Sequence, residues 1–249
     1  MSEKPLGRRV PPDFEHVAKY PLSALIATNE VVVPPAGTEK SLGLPWWWQD
    51  HDQGDEGACE GFGNSAMMSI TNHYQRLQNT GRAITYRYDC FWLYREAQLV
   101  DEWDDTPPGE GTSGRASCQI LKARGHRRVQ NGVSGAENLA HGISAYRWAT
   151  TVDEVRAAIY SGLAVAIGIN WYSNFDDPVI YNKERWIGRS SLGGIRGGHC
   201  VCLYRMSDRR QAFMLMNSWG SYYAPVWLPY TVLERLISEY GEVAVITNR

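Results

Sequence analysis

The hydrophobic period of this chain changes once, near Leu163, and that change limits the fold more than any other feature. Before it, apolar residues recur at three- and four-residue steps. Phe62, Ala66, Ile70, Tyr74 and Leu77 mark a helix from Cys59 to about Gln78, punctuated by Gly81. Phe91, Leu93, Tyr94, Ala97 and Leu99 mark a second, from about Tyr88 to Val100. Thr112 or Ser113 can cap a third, which holds Ile120 and Leu121 and ends at Gly125. Thr151 with Glu154 forms a capping box in front of VDEVRAAIYSG. After the change, LAVAIGINW is the continuous apolar run of a buried strand. HCVCLYRM (199–206) and QAFMLMN (211–217) are strand-like runs joined by a polar loop, 207–210. PVWLPY and EVAVIT are shorter strands flanking a helical TVLERLISEY. Residues 101–117 read as an acidic, Pro/Gly-rich loop and 126–148 as irregular. A helical front and a β-rich back make an α+β chain, expected as two lobes with a cleft between them.

Residues 1–45 carry Pro pairs at 11–12 and 34–35 and read as an extended arm with at most one short strand, near Glu30–Val33. The 249 residues suffice for one large domain or two lobes. A net charge of −2 gives no electrostatic case for nucleic acid or an anionic membrane as partner. No stretch approaches the ~18 apolar residues of a membrane span, and none near Met1 could serve as a secretion signal. The expectation is a cytoplasmic or other reducing compartment, with free thiols. Of the five cysteines, Cys90 and Cys118 leave one disulfide open, whereas Cys200 and Cys202 lie too close in sequence to pair. There is no CxxC, and the CxC lacks a second ligand pair, so neither metal nor cofactor is expected.

Cys59 follows the small residues Gly57 and Ala58 at the start of its helix, where the positive end of the macrodipole favours the thiolate. Alone, such a cysteine is more often a small buried hydrophobe. A reactive thiol needs a base, and the base needs an orienter. Six histidines compete, and His199 stands out through the hairpin. With a four-residue loop at 207–210, Met206 faces Gln211, His199 lies opposite Ser218, and Asn217 lies opposite Cys200. A shift of one residue sets His199 directly across from Asn217. In either register an imidazole and a carboxamide share the open end of the hairpin, where the amide can hold one ring nitrogen and leave the other for a thiol.

These residues resemble the papain-like cysteine peptidases. The resemblance is carried by Gln53-Gly54, by Gly57-Ala58-Cys59, by Gly198-His199 and by Asn217-Ser218-Trp219-Gly220, and spans roughly 45–249. Cys59 and His199 are 140 residues apart, within the ~130–150 of that family. The resemblance implies a papain-like two-lobe fold: a helical lobe over about 46–148, a β-rich lobe over about 149–249, and a protein or peptide substrate between them. It implies Cys59 as nucleophile, His199 as base and then acid, Asn217 as orienter, and Gln53 as oxyanion donor with the Cys59 N–H. It also implies Trp219 as a shield of the His–Asn contact, and Gly111, Thr112, Ile167 and Gly198 as substrate-binding positions.

The chain departs from the family at several places. Glu56 replaces a cysteine, so the disulfide of that loop is absent, and Glu60 stands where the family has Trp or Tyr after the nucleophile. Facing the sulfur, Glu60 would raise the thiol pKa; the rarity of buried unpaired charge favours a solvent-facing helix-start role. Tyr222-Tyr223 replace the second Trp after NSWG, and the arm does not read as the helices of a long inhibitory pro-segment, so the short bacterial and phage members are the better match. The expected activity is peptide-bond hydrolysis through a thioester acyl-enzyme. Two alternatives stay open: a transpeptidase or amidase using the same acyl-enzyme, and a papain-fold binding or structural module with a weakened site.

Overall fold

A computed structural model describes residues 4–105 and 109–248. Residues 106–108, part of the expected acidic loop, lie outside them. In chain order the elements begin with α1 (His16–Lys19), α2 (Ser23–Ala27) and β1 (Glu39–Ser41) in the arm. Then come α3 (Cys59–Thr80), β2 (Arg87–Tyr88), α4 (Cys90–Gln98), α5 (Gly114–Ala123), β3 (His126–Gln130), β4 (Val133–Asn138) and β5 (Ile143–Trp148). The rest is α6 (Val152–Tyr160), β6 (Val165–Tyr172), β7 (Val179–Tyr181), β8 (Glu184–Trp186), β9 (Ile195–Ser207), β10 (Ala212–Met216), β11 (Val226–Pro229), α7 (Tyr230–Ser238) and β12 (Glu242–Asn248). The fold is α+β.

One large sheet runs β5-β12-β6-β9-β10-β11-β8-β7, with β1 added to β9; β2, β3 and β4 form a small second sheet. β6 is central, paired antiparallel with β12 on one side and β9 on the other. That placement requires an apolar run rather than an alternating strand, because both faces are covered.

α3 packs on β9. Every residue from Cys59 to Thr71 is buried, so its first three turns are enclosed on all sides rather than along one stripe. Some of the polar residues there find partners: Ser65 meets His126 Nε2 at 2.8 Å, and Thr71 Oγ1 accepts the Ala164 N–H at 3.0 Å, whereas Ser69 Oγ has none. Gly63 explains how closely helix and strand approach. A Cβ there would sit 2.4 Å from Cys200 Sγ. A mid-helix glycine costs about 1 kcal/mol relative to alanine; here it lets the start of α3 lie on the strand that carries His199.

Several expectations need correction. Residues 126–148 are not irregular but hold β3, β4 and β5. The residues of β4 are exposed throughout, so no hydrophobic alternation marks it. The arm has no strand at 30–33; it holds two short helices, and its strand is β1, paired with Arg205–Ser207. The hairpin register differs as well. Ser207 pairs with Ala212 and Met206 with Phe213, and a bulge at Met214/Leu215 brings Cys202 opposite Met216. Gln211, expected in the ladder, instead takes a left-handed turn conformation, φ +51°. The Thr151 cap is present: its side chain accepts the Glu154 N–H, while the Glu154 carboxylate returns to Thr150. All five cysteines are free, so Cys90 and Cys118 are not paired. Among the described residues no helix is long and apolar enough to cross a membrane.

Candidate active site

Cys59 is the first residue of α3 and is fully buried. The backbones of Gly7 and Cys200 are its polar neighbours. Cys200 follows His199 directly on β9, so the sulfur lies against the strand that carries His199. Burial raises the thiol pKa, and the Glu60 carboxylate adds to the rise; the two backbone contacts and Arg8 oppose it. The helix-start position alone would favour a thiolate. Desolvation outweighs it here, and Cys59 is a neutral thiol in this arrangement.

The ladder between β9 and β10 ends at Met216, which leaves the side chain of Asn217 free to turn toward His199. Asn217 Oδ1 lies 2.8 Å from His199 Nε2 and accepts the Ser218 N–H at 2.7 Å. An atom that accepts a backbone N–H is an oxygen, so Nε2 must be the protonated nitrogen of the neutral ring. Nδ1 is then the basic nitrogen; it is buried and has no hydrogen-bond partner. Trp219 lies along the imidazole at 4.9 Å, tilted by 31°, and Trp171 from β6 meets it edge-on at 4.8 Å. These indoles exclude water from the His199–Asn217 bond. Burial lowers the imidazole pKa to about 4; the Asn217 bond opposes this and Arg196 adds to it.

Gln53 is fully buried in the loop before α3. Its N–H reaches Ser218 O at 2.9 Å, and its Oε1 accepts from Ser218 Oγ, which ties this loop to the Asn217 segment. Its Nε2 donates to Glu56 O at 2.7 Å and faces Pro5 O at 3.5 Å.

The N-terminal arm fills the space in front of these groups. The N–H groups of Gly7 and Arg8 both reach Gly198 O, at 3.2 and 3.0 Å. On the other wall, Thr112 N–H donates to Gly7 O at 2.9 Å and Arg9 N–H to Thr112 O at 2.8 Å, a parallel bridge. Arg196 holds Lys4 O at 2.7 Å. Gly7 has to be glycine, because a Cβ there would lie 1.8 Å from Gly57 O. Gly111, Thr112 and Gly198 thus stand where an extended chain is gripped from both sides. Ile167 sits in the main core opposite Val201, and its neighbour Gly168 is the one that meets the arm.

Sequence reasoning missed Arg8 and Glu242 and misjudged Glu60. Glu60 does not face solvent: it is 1% exposed, and burial, with the nearby Glu242 carboxylate, raises its pKa to about 8. Asn64 Nδ2 and Arg8 account for the tolerance of a carboxyl there. No periodicity marks these residues, since Arg8 and Glu242 meet across 234 positions.

No protein-family model matches the sequence, and no curated protein does. Solved structures do match. Xylellain, a cysteine protease from Xylella fastidiosa, is similar over 100% of this chain and 99% of its own, at 16% identity and a TM-score of 0.65. The digestive procathepsin L2 proteinase of Tenebrio molitor larval midgut is similar over 98% of this chain and 78% of its own, at 14% identity and a TM-score of 0.61. A procathepsin B from Trypanosoma congolense is similar over 87% of this chain and 79% of its own, at 11% identity and a TM-score of 0.57. The chain has the α+β fold of the papain-like cysteine proteases.

Proposed function

We propose that this chain is a cysteine peptidase that hydrolyses peptide bonds in proteins or peptides through Cys59, His199, Asn217 and Gln53. The observation that carries the reading is the His199 Nε2–Asn217 Oδ1 bond at 2.8 Å, which leaves Nδ1 buried and without a partner. In the proposed cycle Nδ1 takes the Cys59 proton while sulfur bonds to the substrate carbonyl carbon. The developing oxyanion is met by Gln53 Nε2 and the Cys59 N–H. As the C–N bond breaks, His199 returns the proton to the leaving amine, and a thioester remains. Water, deprotonated by His199, attacks the thioester and releases the acid and the thiol. An amine in place of water gives transpeptidation by the same steps.

The arm enters this reading as a resident occupant. With Gly7 on the Cys59 sulfur and Pro5 O facing Gln53 Nε2, substrate enters only when residues 4–9 leave. Departure readmits water and lifts the desolvation that keeps thiol and imidazole neutral. We read residues 1–45 as this arm, about 46–148 as a helical lobe and about 149–249 as a β-rich lobe. Five free thiols suit a reducing compartment. One observation favours the alternative of a weakened binding module: a buried carboxyl, Glu60, follows the nucleophile directly.

The test is peptide-library hydrolysis by the chain and by Cys59→Ala. Turnover in the chain and none in a folded Cys59→Ala supports the mechanism. Equal turnover in both excludes it. No turnover in either, with Cys59 inert to iodoacetamide even after the arm is loosened, favours the module.

A further inference from the structure

Arg8 is 5% exposed, and its guanidinium lies in an acidic pocket beside the Cys59 site. Its Nη2 reaches Glu242 Oε2 at 3.4 Å and also donates to the carbonyl of Tyr240. The walls are Gly198 and Gly168: a Cβ on Gly198 would lie 3.2 Å from Arg8 Cδ, and one on Gly168 would lie 3.0 Å from Arg8 Nε and 2.9 Å from Glu60 Oε1. Any side chain at either position would narrow the slot that the Arg8 stem occupies. Glu60 Oε1 is buried and has no hydrogen-bond partner, and neither do Arg8 Nε and Nη1. The other carboxylate oxygen of Glu242 meets His16 Nε2 at 3.1 Å. Arg8 and His16 both belong to the arm. When the arm leaves, Glu242 loses both of these partners, and a buried carboxylate without a cation is strongly unfavourable.

We propose that this pocket is a specificity site for arginine, in which a substrate's guanidinium replaces that of Arg8 against Glu242, with Glu60 on the facing side. The inference rests on the peptidase reading and names its substrate class: peptides with arginine one residue from the position that meets Cys59, the spacing of Arg8 from Gly7. Glu242 supplies the charge. Glu60 Oε1 supplies a buried acceptor oxygen, with the Cys200 thiol as its neighbour. Lysine fits less well, because an ammonium cannot span two facing carboxyl groups as a planar guanidinium does.

The experiment uses the full chain and three acetyl-Xaa-glycyl chloromethyl ketones, in which Xaa is arginine, its uncharged isostere citrulline, or leucine. The rate of Cys59 alkylation is read by mass spectrometry. A charge-assisted bond in a dry pocket sets the arginine reagent roughly ten- to a hundredfold ahead of both others. Glu242→Gln reduces the arginine-to-citrulline ratio to about one, while iodoacetamide reacts with Cys59 faster because the arm has lost its anchor. Should Glu242→Gln not fold, the arginine-to-citrulline ratio of the unmodified chain decides alone. A leucine reagent as fast as the arginine reagent overturns the pocket assignment and leaves the peptidase reading standing. Failure of every reagent, with iodoacetamide also inert in an arm-loosened Gly7→Val chain, overturns the peptidase reading and this inference with it.

Discussion

His199 and Asn217 are eighteen residues apart in sequence and 2.8 Å apart in space, and their bond decides which imidazole nitrogen carries the proton. Without the Asn217 oxygen, Nε2 has no fixed acceptor and the two tautomers compete. Asn217→Ala is therefore expected to keep the Cys59–His199 pair but lower kcat about ten- to a hundredfold, the worth of one buried hydrogen bond. KM should change little. Unchanged kcat in a folded variant would show that Asn217 does not orient the ring.

The contact of Gly7 with Gly57 gives a way to open the cleft without shortening the chain. A Cβ at Gly7 collides with the Gly57 carbonyl at 1.8 Å, and both partners are backbone, so neither can swing aside. Gly7→Val should lift residues 4–9 and speed iodoacetamide alkylation of Cys59 at least tenfold, since access sets the rate at a buried thiol. Proteolytic nicking of the arm should rise in parallel. An unchanged alkylation rate would mean that the arm does not control access.

The helix that starts at Cys59, the buried strand β6 and the meeting of His199 with Asn217 were legible because each rests on local pattern or chain order. Helix caps were legible for the same reason. The acidic pocket was not: Arg8, His16 and Glu242 meet only through the path of the arm, and within EVAVIT the glutamate reads as an ordinary strand start. Glu60 was misjudged because its burial depends on Asn64 one turn on and on Arg8 from the arm. The hairpin register slipped because a left-handed Gln211 and a bulge at Met214/Leu215 leave no hydrophobic signature. His199 and Asn217 meet all the same, since the side-chain bond forms beyond the last paired residue.

Ser113 caps α5 by accepting the Ala116 N–H at 3.1 Å, and it is fully buried. Ser113→Ala leaves that N–H without its partner and without water. The expected loss is about 1–2 kcal/mol of unfolding free energy, with the urea slope unchanged. Ser113 directly follows Thr112, which grips the arm, so Cys59 alkylation should also quicken slightly. A loss below about 0.3 kcal/mol would count against the cap as a significant source of stability.

Stability should fall on acidification because three imidazoles are buried neutral. Burial lowers His51 and His126 to about 3 and His199 to about 4, from an ordinary 6.5. Below pH 6.5 the unfolded chain takes up three protons that the folded chain refuses. Their contribution is therefore fully present above 6.5 and is lost as pH falls toward 4 and then 3. Glu60 acts in the opposite sense: raised to about 8 from 4.5, it keeps a proton that the unfolded chain releases, so its share declines between those values as pH rises. Near pH 5.5 the net difference for these four groups is about two protons, or roughly 3 kcal/mol per pH unit at full titration. Above about 9 the buried thiols Cys59, Cys90, Cys118, Cys200 and Cys202, all raised by burial, destabilise the fold as the unfolded chain ionises. Urea unfolding across pH 4.5–9.5 should give a maximum near 6.5. His126→Gln should remove about one proton from the acid-side slope. A flat profile from 4.5 to 6.5 would mean that these rings protonate without unfolding the chain, and that the cover over His199 opens far more readily than its packing against Trp171 and Trp219 implies.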